Sequence, residues 1–290
     1  MTAGSGGTPA VAYQGEPGAY GEEAVTAYFG GDVVACPAPT FSAACAAVVQ
    51  GGAAAAVLPV ENSLAGTVGE SLDALTATSL VVGGELLLPV RHHVLGIPGS
   101  TLDVVGRVTS HPQALAQCEP WITARGWQPL PAYNTAGAAR QVAETRDRSL
   151  AAIASGVAAL RFGLVVLASD IAAERENVTR FIVVARPDDQ PPHAAGPLAP
   201  APDAARSTLV LFETPHVAGA LYRALGAFAE AGVSLSRIES RPTRASAWRY
   251  RFFVQLEGAA DAPATGAALQ ELARRADGIR VLGSFRSAAG

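Results

Sequence analysis

Through the longer N-terminal part of the chain, short apolar runs alternate with stretches whose apolar residues recur at helical spacing. Ala10–Tyr13, Ala55–Val60, Leu80–Leu88, Val104–Ser110, Ala151–Ala154 and Arg180–Ala185 have the length and boundaries of strands. Between them, Phe41–Gln50, Pro112–Arg125 and Ala136–Glu144 read as helices. Such alternation predicts an α/β fold with mostly parallel sheet. Ligands of these sheets gather beyond the carboxyl ends of the strands, in the loops that open helices.

A different order follows residue 206. Ser207–Phe212 reads as a strand, Gly219–Ala231 as a helix, and Val233–Glu239 and Trp248–Leu256 as strands. Pro263–Ala276 is then a helix and Ile279–Phe285 a last strand. This is βαββαβ, the ferredoxin-like arrangement, which many unrelated functions share. Residues 187–206 separate the two patterns. They are rich in proline and alanine, so they are expected to form an extended, semi-rigid linker that adds nothing to a core.

Composition narrows the function classes. The chain has 290 residues and a net charge of -4, which offers no basic field for nucleic acid. No window approaches the ~18 apolar residues of a membrane-spanning helix. The first residues lack the basic start and apolar run of a signal peptide, so a cytoplasmic protein is expected. Cys36, Cys45 and Cys118 form neither a CxxC pair nor a metal-ligand cluster, which argues against a disulfide framework and a metal site. Lysine is absent. An anionic ligand therefore falls to arginine, hydroxyls, amides or backbone N–H groups.

Polar residues collect at the strand-to-helix junctions. The Gln14–Ala24 loop carries glycines that let backbone N–H groups approach an anion, or that simply form a turn. Glu61-Asn62-Ser63 ends an apolar strand and precedes Gly66. Helix capping by Asn62 or Ser63 leaves Glu61 unexplained, which favours a polar ligand. Ser110-His111-Pro112 closes a strand and opens a helix on which Gln113 and Gln117 share a face. His111 is either a general base or a turn residue. Asn134-Thr135-Ala136-Gly137 opens another helix, and Arg180 is chemically fit to hold a carboxylate or to lie on the surface. No phosphate-binding loop or dinucleotide fingerprint accompanies them. Together they describe a cleft for an anionic small molecule.

These stretches, in this order, resemble the prephenate dehydratase family. The Gly15–Ala24 loop, Val60–Ser63 with Gly66, Ser110–Cys118, Thr135–Ala139 and Asn177-Val178-Thr179-Arg180-Phe181 carry the likeness in the longer part. Ile238-Glu239-Ser240-Arg241-Pro242 and Leu282-Gly283-Ser284-Phe285 look like the family's ACT regulatory domain. The resemblance implies a two-lobed, periplasmic-binding-protein-like catalytic domain over 9–186, a linker over 187–206 and a ferredoxin-like ACT domain over 207–286. It implies loss of carbon dioxide and water from prephenate, without a cofactor, to give phenylpyruvate.

By the same resemblance Thr179 assists departure of hydroxide, and Glu61, Asn62 and Gln117 orient the ring and its hydroxyl. Ser110, Thr135 and Arg180 would hold the carboxylates. Gly18, Tyr20, Ser63, Gly66, Ala136, Gly137, Asn177 and Phe181 complete the implied substrate contacts. Phenylalanine is the implied effector, held by Gly219, Ala220 and Leu221 and by Glu239, Ser240, Arg241 and Pro242. ACT pairing implies a homodimer or homotetramer. Gly21, Ala172–Arg175 and Ala218 depart from the family pattern. An arogenate dehydratase, a prephenate decarboxylase that does not aromatise its substrate and a non-catalytic amino-acid sensor remain open on the sequence.

Overall fold

The computed structural model describes residues 7–189, 191–243 and 249–288. The chain begins with β1 (Ala10–Gln14), α1 (Tyr20–Phe29), β2 (Val34–Ala38), α2 (Phe41–Val49) and β3 (Ala55–Asn62). β4 (Gly66–Thr67), α3 (Gly69–Thr76) and β5 (Val81–Pro89) follow. It then crosses to a second lobe: β6 (His93–Gly96), β7 (Arg107–Ser110), α4 (Pro112–Gln117), α5 (Glu119–Thr123), β8 (Gln128–Pro131) and α6 (Thr135–Thr145). That lobe closes with β9 (Leu150–Ala154), α7 (Gly156–Phe162) and β10 (Val165–Ala168).

β11 (Val178–Ala185) returns to the first lobe and lies between β3 and β5, giving the order β2-β1-β3-β11-β5. The second lobe has the order β10-β6-β9-β7-β8. Each sheet is parallel on one side and antiparallel on the other, rather than mostly parallel. The reason is the double crossing: a strand arriving from the other lobe enters in the reverse direction. The expected helix Pro112–Arg125 is also divided in two, at Cys118. Pro120 supplies no N–H to the ladder and obstructs the preceding turn.

The C-terminal unit is β12 (Arg206–Glu213), α8 (Ala220–Glu230), β13 (Leu235–Pro242), β14 (Tyr250–Glu257), α9 (Pro263–Arg275) and β15 (Asp277–Arg286). All pairings in its β13-β14-β12-β15 sheet are antiparallel. The expected start of the third strand, Trp248, lies outside the described residues. One face of the sheet packs Phe212, Val254 and Leu256 under α8 and α9. The other presents Leu209, Leu211, Phe253 and Phe285 to Leu58, Leu72 and Leu75 of the first lobe, in one continuous core. Strand alternation makes both faces apolar, so the sheet buries one on its own helices and the other on its neighbour.

Polar ties cross the same interface. Arg237 donates to the Val60 carbonyl at 3.0 Å, and Arg241 pairs with Asp73 at 2.8 Å. Arg280 donates to the carbonyls of Thr76, Thr78 and Leu80 beyond α3. The proline- and alanine-rich stretch does contribute to packing. Ala194 and Leu198 rest on the α1 core, and Gly196 and Leu198 donate to the carbonyls of Tyr28 and Ala27 at 2.9 and 2.8 Å. A Cβ at Gly196 would overlap the Ala27 carbonyl, so glycine is what lets the strap lie this close.

Candidate active site

A cavity of about 330 Å³ opens between the two lobes. Its floor comes from β3 and β11, which run antiparallel with Thr179 opposite Asn62 and Arg180 opposite Glu61. Successive side chains on a strand point to opposite faces. Asn62, Thr179 and Phe181 consequently line the cavity. Glu61 and Arg180 point the other way, towards the C-terminal sheet.

There Arg180 reaches Glu85 Oε1 through Nη1 at 2.5 Å and Glu61 Oε2 through Nε at 3.3 Å. Glu85 is fully buried and also accepts from Gln255 Nε2 at 3.1 Å and the Ala288 N–H at 3.0 Å. The expectation that Arg180 grips a substrate carboxylate and that Glu61 orients the ring is therefore corrected. Neither lines the cavity: Arg180 alternates with Thr179 and Phe181, and a bulge at Val60 turns Glu61 to the face opposite Val57 and Pro59. Both belong to an ion cluster, with Arg237 beside Glu61, that joins the first lobe to the C-terminal sheet.

The polar wall is a continuous hydrogen-bonded row. Asn62 Oδ1 accepts the backbone N–H groups of Leu64 and Ala65, at 3.1 and 2.9 Å. Its Nδ2 donates to Asn177 Oδ1 at 2.7 Å and to Thr179 Oγ1 at 3.0 Å. Asn177 Nδ2 donates to Gln117 Oε1 at 3.1 Å. His92 Nε2 lies 2.7 Å from that same oxygen, and His92 Nδ1 lies 2.8 Å from Tyr20 Oη. Burial foremost holds His92 below its ordinary pKa. Burial first, then the Glu23 carboxylate, pushes the Tyr20 phenol well up.

The remaining expected contacts fall in different places. Thr135 lines the cavity, one residue into α6, whose cap is Asn134 accepting from the Gly137 N–H. Ala136 and Gly137 follow inside that first turn, both buried. Ser110 is fully buried and donates to the Ile153 carbonyl at 2.6 Å, so its hydroxyl ties β7 to β9. It does not line the cavity. Ser63 donates to the Glu176 carbonyl and accepts from the Val178 N–H, which secures the entry to β11. Gly66 begins β4 at an exposed turn. Gly18 sits between the lobes: its carbonyl accepts from the buried Ser155 hydroxyl at 2.9 Å, beside Ala158 of α7. Gly21 lines the cavity, and a Cβ there would lie 2.9 Å from the Tyr13 ring, which fills the place of a side chain.

Sequence reasoning missed His92, which also lines the cavity; Gln14, at the head of the first candidate loop, lines it too. The signal for His92 was the one used elsewhere, a polar residue just beyond the end of an apolar strand. Among the described residues, the lining contains no guanidinium or carboxylate. Arg91 and Arg175 instead line a smaller adjoining cavity that shares Val90 and His92. Among the described residues, no group of three or more His, Cys, Asp or Glu is placed to hold a metal.

The family model described as "Prephenate dehydratase" matches residues 11–189. The chain belongs to the prephenate dehydratase family. A model described as "ACT domain" matches residues 208–274. "Arogenate dehydratase 1" of Petunia hybrida is 39% identical over 97% of this chain and 67% of its own length. A "Bifunctional N-acyl-homoserine lactone acylase/prephenate dehydratase" of Komagataeibacter europaeus is 37% identical over 95% of both chains. Among solved structures, the prephenate dehydratase of Arthrobacter aurescens in complex with L-Phe aligns with a TM-score of 0.85. That pair is 33% identical, over 96% of this chain and 90% of the other.

In this member of the family, Gly219, Ala220 and Leu221 line a separate cavity of about 450 Å³ at the start of α8, with Tyr250 and Phe252. The Glu239–Pro242 stretch is not gathered there. Glu239 accepts from Thr67 Oγ1 at 2.6 Å and Arg241 pairs with Asp73, both on the first lobe. Ser240 and Pro242 occupy the alternate, exposed positions of β13. Within one chain the two stretches thus serve different surfaces.

Proposed function

We propose that this protein converts prephenate to phenylpyruvate, a carbon–oxygen lyase reaction of phenylalanine biosynthesis, and that phenylalanine regulates it through the ACT domain. The observation that carries the reading is the Thr179 hydroxyl. Its oxygen already accepts an N–H from Asn62, so its own hydrogen is left to donate into the cavity. A donor aimed at a departing oxygen in a sheltered site lowers the barrier where charge develops.

In the reaction the ring–carboxylate bond breaks, carbon dioxide leaves, and its electron pair enters the ring. The ring–hydroxyl bond breaks at the opposite carbon, and the hydroxide takes a proton to leave as water. Thr179 would deliver that hydrogen bond, with its proton restored from solvent. Phe181, Pro59 and Val57 supply apolar wall for the ring as it becomes aromatic. Aromatisation supplies the driving force, so the reading needs no cofactor.

Residues 9–186 would form the catalytic part, 187–206 the connection and 207–286 the regulatory part. The L-Phe complex of the Arthrobacter aurescens relative supports phenylalanine as effector. Exposed Ile238 on the edge strand β13 and exposed Tyr222 on α8 favour pairing of ACT domains into a homo-oligomer. No helix among the described residues is long and apolar enough to cross a membrane. A cytoplasmic location is the reading that accords with the three unpaired cysteines.

Arogenate, the substrate in the petunia relative's name, differs only in an amino group and belongs in the same assay. The test is to follow phenylpyruvate from prephenate, and phenylalanine from arogenate, with and without added phenylalanine. Turnover of prephenate suppressed by phenylalanine is expected. Failure to convert either compound would refute the reading.

A further inference from the structure

The amide row beside Thr179 has only one consistent direction, and it begins at the backbone. Two backbone N–H groups, those of Leu64 and Ala65, fix which atom of the Asn62 amide is its oxygen. Asn62 must then present Nδ2 to Asn177, Asn177 must present its oxygen back, and its Nδ2 must face Gln117. The Gln117 atom facing Asn177 is therefore Oε1. His92 Nε2 approaches that same oxygen at 2.7 Å, and only a protonated nitrogen fits there.

Resting on the prephenate reading, we propose that His92 is a positioning residue for the reaction. Its Nε2–H, with Asn177, occupies the Gln117 amide oxygen, so that Gln117 offers only N–H to the bound substrate. Gln117 Nε2 has no protein partner among the described residues, and Gln117 lines the cavity. The wall beside Thr179 is thereby a surface of donors, which suits an oxyanion or a departing hydroxide. His92 itself is 3% exposed, with both ring nitrogens engaged, so it acts through Gln117 rather than on the substrate. Burial favours the neutral ring; its bare Nδ1 then takes the Tyr20 hydrogen in competition with the Arg91 carbonyl, which also lies 2.8 Å from Tyr20 Oη.

The proton on Nε2 is read directly in the isotope-labelled wild-type protein at neutral pH. Long-range proton–nitrogen spectra of the five histidines, with His92 assigned by its loss in His92→Gln, should show Nε2 protonated. A bare Nε2 on residue 92 would overturn the proposal. Kinetics supply the second arm. His92→Gln keeps an N–H donor at about the place of Nε2, while His92→Met keeps the bulk without it. The Met variant should lose kcat by about tenfold relative to the Gln variant, the worth of one buried hydrogen bond. KM for prephenate should move less, and the two variants should melt within a few degrees of each other. Equal kcat in the two variants would also overturn the role. A wild-type protein that turns over neither prephenate nor arogenate would instead refute the reaction reading, with the Nε2 assignment standing or falling on the spectra alone.

Discussion

Arg180 and Glu85 lie on neighbouring strands with guanidinium nitrogen and carboxylate oxygen 2.5 Å apart, and the carboxylate is wholly shielded from solvent. Arg180 directly follows Thr179 in the chain, and Glu85 also receives Gln255 from the ACT sheet. Glu85, on the strand beside β11, is thus held from both domains at once. The pair serves position, since its charges face away from the cavity.

Removing one partner should cost more than removing both. Glu85→Gln leaves Arg180 without its buried counter-charge and is expected to lower stability by about 3–5 kcal/mol. The double variant Arg180→Met with Glu85→Leu should recover a large share of that loss. Denaturant melts of the single and double variants measure the difference. Single and double variants that lose equal stability would contradict the assignment.

The Thr179 hydroxyl should matter to turnover rather than to folding. Thr179→Ala is expected to lower kcat by about 100-fold or more, as losing a positioned proton donor does. Thr179→Ser keeps the hydroxyl but loses the methyl group that limits its rotamers, so it should fall between. Phenylpyruvate formation at saturating prephenate gives the order directly. Near-normal turnover in the alanine variant would remove Thr179 from the mechanism.

Gly18 combines a φ of +88° with an added Cβ that would lie 3.0 Å from Ala158 Cα across the lobe boundary. Gly18→Ala should therefore cost about 1–3 kcal/mol in backbone strain alone. It should also hold the lobes apart and raise KM for prephenate. Thermal melts and a substrate titration separate the two effects.

Burial pushes the Glu23 carboxyl up to about 7. The folded protein then holds that proton more tightly than the unfolded chain, so its contribution is complete below about 4.5 and is lost as pH rises to about 7. Glu23→Gln removes the titration and should make the protein more stable than wild type at pH values above about 7. The gap should close in acid. Melting temperatures across that range check the sign.

Much of the fold was legible because local signals and tertiary placement agree. Alternating apolar runs gave β1, β3, β5, β9 and β11, and the βαββαβ order emerged whole. The site was only half legible. Thr179, Asn62, Gln117 and Asn177 sit where strand ends and helix starts were expected to converge. Glu61 and Arg180 do not, because periodicity reveals that neighbours on a strand face opposite ways without telling which way faces the ligand. Here both faces of the sheet meet protein, so polarity at Glu61 and Arg180 meant an interdomain cluster as readily as a binding site. His92 lay in no recognised motif; its role comes from partners distant in sequence, at Tyr20 and Gln117.

The placement of β11 has a consequence for how the molecule is made. This strand fills the slot between β3 and β5, yet the whole second lobe is synthesised before it. A nascent chain that has extruded β1 to β5 holds a sheet with a vacant central position and two unpaired inner edges. The second lobe, a continuous stretch, has all its strands as soon as it emerges and can fold first as a unit. The lobe that starts first is therefore completed only after the lobe it encloses in sequence, and Thr179 is seated by the strand that completes it.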